Sequence, residues 1–355
     1  MGDKHIEKNN TRKIHYDLLR IMAAFSVVML HSAAQFWYDL DIRSGEWIVA
    51  NSYDAVFRFG VPIFVMISGA LFLDKDYQLD TKRLYTHNIF RLGVLYVVWS
   101  CIYGLIDCGQ MGFGHLTVKE ILREMLSGRY HLWFLPMILG IYVLLPILKS
   151  WVAHTEKKTL QYFLILFFVL QIWSETIRAF TRTDELHTIL DLAKAELVCG
   201  YIGYFIWGYY IANVGIGEKL YKAIKVLFVP AILMNVVLGN LLAWRAGTPT
   251  GAIYDSFGLF TFIIVTGLFA GAVTRGKDVS VSEKSARRIK AISAGTFGVY
   301  VMHLGLMEWT EPLGIHSMMI PNILGIPVYA VLCFVISLLV ATIIRRIPVI
   351  GRYLC

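Results

Sequence analysis

Residues 16–37 read YDLLRIMAAFSVVMLHSAAQFW, an apolar run that contains two basic side chains, Arg20 and His31. As an α-helix, a run of this length crosses the hydrocarbon core of a bilayer, which is about 30 Å thick. Eleven positions separate Arg20 from His31. At about 100° and 1.5 Å per residue, both side chains lie on one stripe, roughly 16 Å apart along the axis. The stretch predicts a membrane-spanning helix with an aligned arginine and histidine.

The rest of the chain has the same apolar character. Of its 355 residues, 57% are hydrophobic and 16% are charged, and the mean hydropathy is +0.60. Soluble domains carry about 25% charged residues. We therefore predict an all-α polytopic membrane protein of about ten transmembrane helices. The predicted spans are 16–37, 53–73, 85–107, 131–148, 160–178, 197–214, 223–244, 252–273, 291–309 and 324–344.

The lysines and arginines indicate how the chain is oriented. With charges at the span edges counted with the adjoining loop, 22 of the 33 lie in the two tails and in the loops after the even-numbered spans. The other loops hold eight. Basic residues concentrate on the cytoplasmic side, so we predict two cytoplasmic termini, a short cytoplasmic tail at 1–15 and a place in the cytoplasmic membrane. The net charge of +8 is spread over short loops, which favours contact with anionic lipid and gives no support to nucleic-acid binding.

Two predicted outer loops, 108–130 and 179–196, are long enough to have structure. In the first, TVKE at 117–120 forms a capping box, and apolar residues then recur on one face up to position 126. This pattern predicts an amphipathic helix on the outer surface. The second loop is mixed in charge around TDELH at 183–187. Either loop could line an acceptor site, or simply cover the outer face of the bundle.

Three arginines lie inside predicted spans: Arg20, Arg58 and Arg91. A cation at the centre of a membrane helix costs at least ~2.5 kcal/mol on insertion scales, so such residues usually face the bundle interior and have a function. A planar guanidinium suits a phosphate-rich ligand. The alternative is that each side chain extends to the nearer interface, and for Arg20 this includes a pair with Asp17.

Three histidines lie at membrane depth. His31 could act as a general base, because imidazole can accept and return a proton near neutral pH. A packing role is the alternative for a histidine in an apolar helix. His131 begins span 4 beside Tyr130 and Trp133. A belt of aromatic residues at the membrane interface would place a histidine there as well, without a catalytic role. His303 lies mid-span, with Tyr300 three residues before it on the same face.

The remaining motifs indicate structure and do not indicate a reaction. In span 2, Gly60-Val61-Pro62 predicts a kink, and Ser68-Gly69 permits close helix packing. No hydrolase, nucleotide-triphosphatase or dehydrogenase fingerprint occurs, and no metal site is predicted. The five cysteines have no metal-ligand spacing and are expected to be free thiols: Cys101, Cys108, Cys199, Cys333 and Cys355.

The arginine and histidine of the first span resemble the R/K-x10-H signature of the membrane acyltransferase-3 family. Further segments resemble the family in the same order: R-x3-PIFVMISG at 58–69, HLWF at 131–134, LLPI at 144–147, GYIGYF at 200–205, and S-x3-FGVY-x2-H at 293–303. The resemblance covers nearly the whole chain. It is greatest to the stand-alone O-acetyltransferase branch, which lacks the extra extracytoplasmic domain of some relatives.

The resemblance implies a single acyltransferase domain over residues 1–355. It implies transfer of an acetyl or other acyl group from cytoplasmic acetyl-CoA to a hydroxyl of an extracytoplasmic glycan or lipid-linked acceptor. The expected donor-binding residues are Arg20, Lys82, Arg83 and Arg91. The expected catalytic residues are His31 as general base, Arg58 for the oxyanion or a sugar, and His303 with Tyr300 as orienting groups. The expected acceptor-binding residues are Ser68, His131 and Trp133.

The chain departs from the family at one point. The family often has a second basic residue three or four positions before the arginine of span 3. Here those positions are Asn88 and His87. His87, Lys82 or Arg83 would have to take over that part of donor binding.

Two other function classes fit parts of the sequence. Intramembrane arginine and histidine with glycine- and proline-interrupted helices also occur in proton-coupled transporters of small solutes. The chain shows no internal repeat, which argues mildly against a carrier. A non-catalytic scaffold in envelope assembly is the third class, and it gives no reason for the aligned Arg20 and His31.

Overall fold

The computed structural model describes residues 13–112, 115–181, 200–276, 281–348, 351 and 354. In this part of the chain the regular structure is helical, without β-strands. Nine of the described helices are long and apolar enough to cross a membrane. The tenth predicted span, 197–214, is described from residue 200 onward. The prediction of an all-α polytopic protein is therefore confirmed, whereas the predicted loop at 183–187 and most of the tail at 1–15 lie outside the described residues.

The helices are numbered here in chain order. They are α1 (Ile14–Ala34), α2 (Gly45–Phe57), α3 (Gly60–Phe72), α4 (Thr81–Met111), α5 (Val118–Ser127), α6 (Tyr130–His154), α7 (Lys157–Phe180), α8 (Gly200–Tyr209), α9 (Glu218–Ala246), α10 (Leu259–Arg275), α11 (Glu283–Thr310) and α12 (Asn322–Ile344). Wider π-helical turns occur within α4 (Leu84–Ile89) and α7 (Phe168–Trp173), and α8 continues as a π-helix over Tyr210–Val214. A π-bulge often marks a functional region of a helix.

The second membrane crossing is broken between α2 and α3, by a turn at Arg58 and Phe59. Pro62 has no N–H to donate to the carbonyl of Arg58, so one bond of a continuous helix is missing there. Helical bonding resumes where the Ile63 N–H donates to the Phe59 carbonyl at 3.2 Å. The kink predicted from Gly60-Val61-Pro62 is thus confirmed, and it places Arg58 at a helix end.

Helix α1 is central, and it packs against α2, α3, α11 and α12. Asp17 is buried near its start, where it accepts a hydrogen bond from the Ser293 hydroxyl of α11 at 2.7 Å. Helix α3 approaches α1 closely, because a Cβ at Gly60 would lie 2.4 Å from the Ser26 hydroxyl. The helix with the aligned arginine and histidine is therefore enclosed by its neighbours along most of its length.

Helices α3 and α8 cross with their backbones in contact. A Cβ at Gly69 would lie 1.8 Å from the Phe205 carbonyl oxygen, and one at Gly208 would lie 2.2 Å from the Met66 carbonyl oxygen. Small residues at such crossings allow membrane helices to gain van der Waals contact that larger side chains would prevent. The Ser68-Gly69 pair thus has the packing role that the sequence predicted.

The amphipathic helix predicted after span 3 is confirmed as α5. The Thr117 hydroxyl accepts from the Glu120 N–H at 3.3 Å, and the Glu120 carboxylate accepts from the Thr117 N–H at 2.7 Å. The hydrogen bonds that the carboxylate accepts from the Thr117 N–H and hydroxyl lower the pKa of Glu120, because they stabilise its ionised form. The apolar side chains of Val118, Leu122 and Leu126 are exposed. The helix therefore presents an apolar stripe on the surface beside α4.

The close crossing of α3 and α8 generates a prediction about stability. Replacing Gly69→Ala should lower the free energy of unfolding by about 1–3 kcal/mol, because the added methyl group forces the two backbones apart. Thermal unfolding in detergent, followed by size-exclusion chromatography, measures the effect. Gly140→Ala in α6 is the matched control, since no atom lies within 4 Å of a Cβ added there. Equal melting temperatures for the two variants would contradict the prediction.

Candidate functional site

Three histidines from three helices meet on one side of the bundle. The ring centroids of His31 in α1 and His303 in α11 are 5.1 Å apart, and those of His131 in α6 and His303 are 5.5 Å apart. His303 and His131 are buried, whereas His31 is partly exposed. We call these three residues the histidine cluster. The resemblance implied that His303 orients His31 or the acceptor, but the sequence did not predict that His131 would join them.

The backbone fixes which nitrogen of His303 carries its proton. Its Nδ1 lies 2.7 Å from the Tyr300 carbonyl oxygen and 3.1 Å from that of Val299. Both partners are acceptors, so Nδ1 carries the proton and Nε2 carries a lone pair. Within the described part of the chain, Nε2 has no hydrogen-bond partner. The ring is therefore oriented like that of a general base, with an open acceptor atom.

Tyrosines hold the other two histidines. His31 Nδ1 lies 3.4 Å from the hydroxyl of Tyr130, whose side chain is 64% exposed. This edge of His31 therefore faces a solvent-accessible side. Tyr300 donates its hydroxyl proton to the backbone carbonyl of His131, and this bond links α11 to α6. Tyr300 thus contacts the backbone of His131, whereas the resemblance implied that it orients His31 or the acceptor.

An ion network lies next to the cluster, and the sequence analysis missed it. Arg129 contacts the carboxylates of Asp107 at 2.9 Å and of Glu308 at 2.6 Å. Its guanidinium also lies over the ring of Tyr103, 5.8 Å from the centroid. These residues come from α4, α11 and the segment before α6, so no local sequence pattern connects them.

A cavity of about 580 Å³ lies below the cluster, toward the Arg20 end of α1. Basic side chains from three parts of the chain line it: Arg20, Arg83, His87, Arg91 and Arg345. The cavity unites three of the four predicted donor-binding residues, whereas Lys82 is not in its lining. His87 and Asn88, at the two positions that depart from the family pattern, both line it. Arg345 was missed because it follows α12, far along the chain from the others.

Arg20 has two kinds of contact. It forms an ion pair with Asp17 at 3.0 Å, which is the pairing that the sequence gave as the alternative to a functional role. It also lines the cavity. Because Asp17 is held in turn by Ser293, the carboxylate fixes Arg20 at the cavity wall. The two interpretations are therefore compatible.

The inner end of the cavity stops short of the histidine cluster. Val27, Phe134 and Tyr300 line the cavity, and His31 does not. His31 follows Val27 by one helical turn, about 6 Å along α1. The rings of Phe134 and Tyr300 lie 5.6 Å apart, and those of Phe64 and Phe134 lie 6.1 Å apart. These four side chains, Val27, Phe64, Phe134 and Tyr300, form a thin apolar layer between the two sites.

Three predicted site residues have contacts that the sequence did not predict, although one of them, Arg58, lies close enough to His31 to interact with it electrostatically. Arg58 pairs with Asp54 at 2.6 Å and lies over the ring of Tyr254. Trp133 packs its ring against Tyr201. Ser68 was expected at the acceptor, but it lines the cavity beside Arg20 and donates its hydroxyl proton to the Phe64 carbonyl. Their contacts follow from how the helices pack against one another. The position of a residue within its own span does not determine that packing.

The chain matches one family of known proteins. The acyltransferase-3 family model, described as an acyltransferase domain, matches residues 14–346. No curated protein and no solved structure matches the chain. The match includes every residue of the histidine cluster and the cavity lining.

The linkage of α4 to α11 beside the cluster generates a prediction. Tyr103 donates its hydroxyl proton to the Val301 carbonyl at 2.8 Å and accepts from the Gly305 N–H at 3.1 Å. Tyr103→Phe should lower the free energy of unfolding by about 1–3 kcal/mol, because the buried hydrogen bond to the Val301 carbonyl and the one from the Gly305 N–H are both lost. Tyr162→Phe, at an exposed position of α7, is the control. Thermal unfolding of both variants tests this, and an unchanged Tyr103→Phe melting temperature would contradict it.

Proposed function

The chain belongs to the acyltransferase-3 family, and from this premise we propose that it transfers an acetyl group across the membrane. The donor is acetyl-CoA on the cytoplasmic side. The acceptor is a hydroxyl of a glycan or lipid-linked sugar on the outer side. One observation carries the proposal: a cavity with a cationic lining lies below the histidine cluster, toward the Arg20 end of α1, and one apolar layer separates the two.

The cavity suits the donor by charge and by size. Acetyl-CoA carries its phosphates at one end and its thioester at the other. Arginine binds phosphate through planar, bidentate hydrogen bonds, so Arg83, Arg91 and Arg345 are proposed to hold the phosphate end. Ligand pockets are typically about 300–1,000 Å³, and this cavity lies in that range. Its apolar inner walls suit the uncharged arm that carries the acetyl group.

The position of the histidine cluster supports binding of the acceptor from the outer side. His31 Nδ1 faces the exposed Tyr130 hydroxyl at 3.4 Å. We propose that an acceptor hydroxyl takes the place of the Tyr130 hydroxyl at this nitrogen. His303, whose tautomer is fixed by two backbone carbonyls, packs against the His31 ring and holds its orientation.

The reaction that follows is direct acyl transfer. His31 removes the proton of the acceptor hydroxyl as its oxygen attacks the thioester carbonyl carbon. The carbon–sulfur bond then breaks, and the proton passes from His31 to the departing thiolate. The products are an acetyl ester and free CoA. For this step the acetyl group must pass the apolar layer, so Phe134 and Tyr300 are proposed to part when the donor binds.

The remaining predicted residues receive positioning roles in this proposal. Asp54 balances part of the charge of Arg58, and this guanidinium interacts electrostatically with His31, so Arg58 is proposed to orient a sugar near the base. Trp133 and the ion network of Arg129 lie on the acceptor side, where aromatic and charged groups suit a sugar. Lys82 is proposed to attract the anionic donor from the surface.

Replacing His31→Ala should lower acetyl transfer by at least about 100-fold, because general-base catalysis contributes about 10²–10⁴. Binding of CoA should persist, since His31 does not line the cavity. Membrane vesicles supplied with labelled acetyl-CoA measure transfer of label to envelope glycan, and mass spectrometry identifies the product. His154→Ala, at an exposed histidine of α6, is the control. Near-normal transfer by His31→Ala would contradict the role, and movement of an intact solute would favour a carrier.

Two adjacent arginines give a matched test of the donor site. Arg345 lines the cavity, whereas the exposed Arg346 does not. Arg345→Gln should raise the KM for acetyl-CoA about three- to tenfold, because a charged contact to phosphate is lost from a partly solvated site. The kcat at saturating donor should change less. Arg346→Gln should match the wild type, and equal KM values in both variants would contradict the assignment.

A further inference from the structure

A second, separate concavity lies on the membrane-facing surface of the bundle. It is a groove of about 1160 Å³ between α1, α9 and α10. Its walls are mainly apolar: Leu18, Leu19, Met22, Phe228 and Leu268 all line it. Leu18 is 44% exposed, so the groove is open at the side of the bundle. We call this the lateral groove.

One end of the lateral groove carries positive charge. Lys13 before α1, Lys225 near the start of α9 and Arg275 at the end of α10 line it together with His15. No aspartate or glutamate occurs among the described residues of the lining. Lys13 has a carboxylate 3.7 Å away, that of Asp74, whereas Lys225 lies over the ring of Tyr221 at 4.8 Å. The cationic end therefore retains unneutralised charge for an anion.

Small residues give the groove its depth. Gly271 lies in its wall, and a Cβ added there would have no atom within 4 Å. Gly267 differs, because a Cβ there would lie 2.6 Å from the Phe228 ring. One glycine thus serves helix packing, and the other leaves open space. A larger side chain at Gly271 would fill the groove without displacing its neighbours.

We propose that the lateral groove binds an anionic phospholipid of the cytoplasmic leaflet. An acyl chain lies along the apolar walls, and the headgroup phosphate contacts Lys225 and Arg275. The groove lies at the helix ends where the lysines and arginines of the chain concentrate, which is the side on which basic pockets between helices bind acidic headgroups. The proposal does not depend on the acyltransferase reaction.

The N-terminal tail is a poorer occupant for this groove. Residues 1–12 read MGDKHIEKNNTR, in which Met1 and Ile6 are the large apolar side chains. Such a sequence cannot cover walls of leucine, methionine and phenylalanine. Four of its residues are basic or potentially so, namely Lys4, His5, Lys8 and Arg12. They would repel the cationic end.

The lipid would support the helix that carries both candidate sites. Leu18, Leu19 and Met22 of α1 face the lateral groove, whereas Arg20 and Val27 face the donor cavity. The same helix is therefore in contact with both concavities. A lipid in the groove would fill space behind α1 that water cannot fill favourably, and would hold α1 against α11.

Native mass spectrometry of the full-length protein tests the proposal. The protein is supplied with equal amounts of phosphatidylglycerol and phosphatidylcholine of the same chain length. The wild type should retain phosphatidylglycerol at least about fivefold in preference. Gly271→Phe should lower retention of both lipids, because it fills the groove, and Lys225→Gln with Arg275→Gln should remove the preference. Equal retention of the two lipids by the wild type would overturn the proposal.

Matched controls distinguish a loss of lipid binding in the groove from a general effect of substitution on the protein. Gly140→Phe places the same ring at an open glycine of α6, outside the groove. Lys222→Gln removes a lysine of α9 that pairs with Glu218 at 2.7 Å. Both controls should retain phosphatidylglycerol as the wild type does. If Gly271→Phe fails to fold, the Lys225 and Arg275 double variant decides alone, and wild-type preference in that variant would overturn the proposal.

Discussion

The register of α1 on α11 is the constraint on which both candidate sites depend. Near one end, Asp17 accepts from Ser293 and pairs with Arg20. Near the other end, His31 packs against His303. A polar group without a partner is costly in hydrocarbon, so these contacts favour one alignment of the two helices over alternatives shifted by a turn. Arg20 reaches the cavity, and His31 the cluster, because this alignment is kept.

The apolar layer explains why the two sites are not continuous. A protein that receives ligands from both sides of a membrane must prevent an open path for ions and protons between them. Val27, Phe134 and Tyr300 close the cavity without polar side chains at its inner end, apart from the Tyr300 hydroxyl. That hydroxyl donates to the His131 carbonyl and is not free to bind water in the cavity. In the proposed transfer, the acetyl group would cross this layer by a rearrangement of the rings of Phe134 and Tyr300.

The sequence predicted features that depend on one helix at a time. The spans, the break before Pro62 and the capping box of α5 follow from length, from a missing N–H and from local spacing. The aligned Arg20 and His31 follow from helical periodicity in the same way. Periodicity gives the face and the depth of a side chain, but not the helix that lies opposite. For this reason Arg345 and the network of Arg129 were missed, and the place of Ser68 in the cavity lining was not predicted. The pair of Asp54 and Arg58 is an exception, since their i, i+4 spacing could have been recognised.

The composition of the cluster follows from its surroundings. In a serine-protease-like triad, a buried carboxylate orients the histidine and stabilises the positive charge that forms on it. Here the orienting groups of His303 are two backbone carbonyls, of Tyr300 and Val299. These carbonyls belong to the backbone of α11 and carry no net charge. A carboxylate at this depth would carry a full charge into a low-dielectric bundle, at a cost that a neutral imidazole avoids. The carboxylates of Asp107 and Glu308 instead pair with Arg129 beside the cluster. A neutral pair of imidazoles, oriented by backbone and tyrosine, is thus a way to place a base within a membrane helix without a buried unpaired charge.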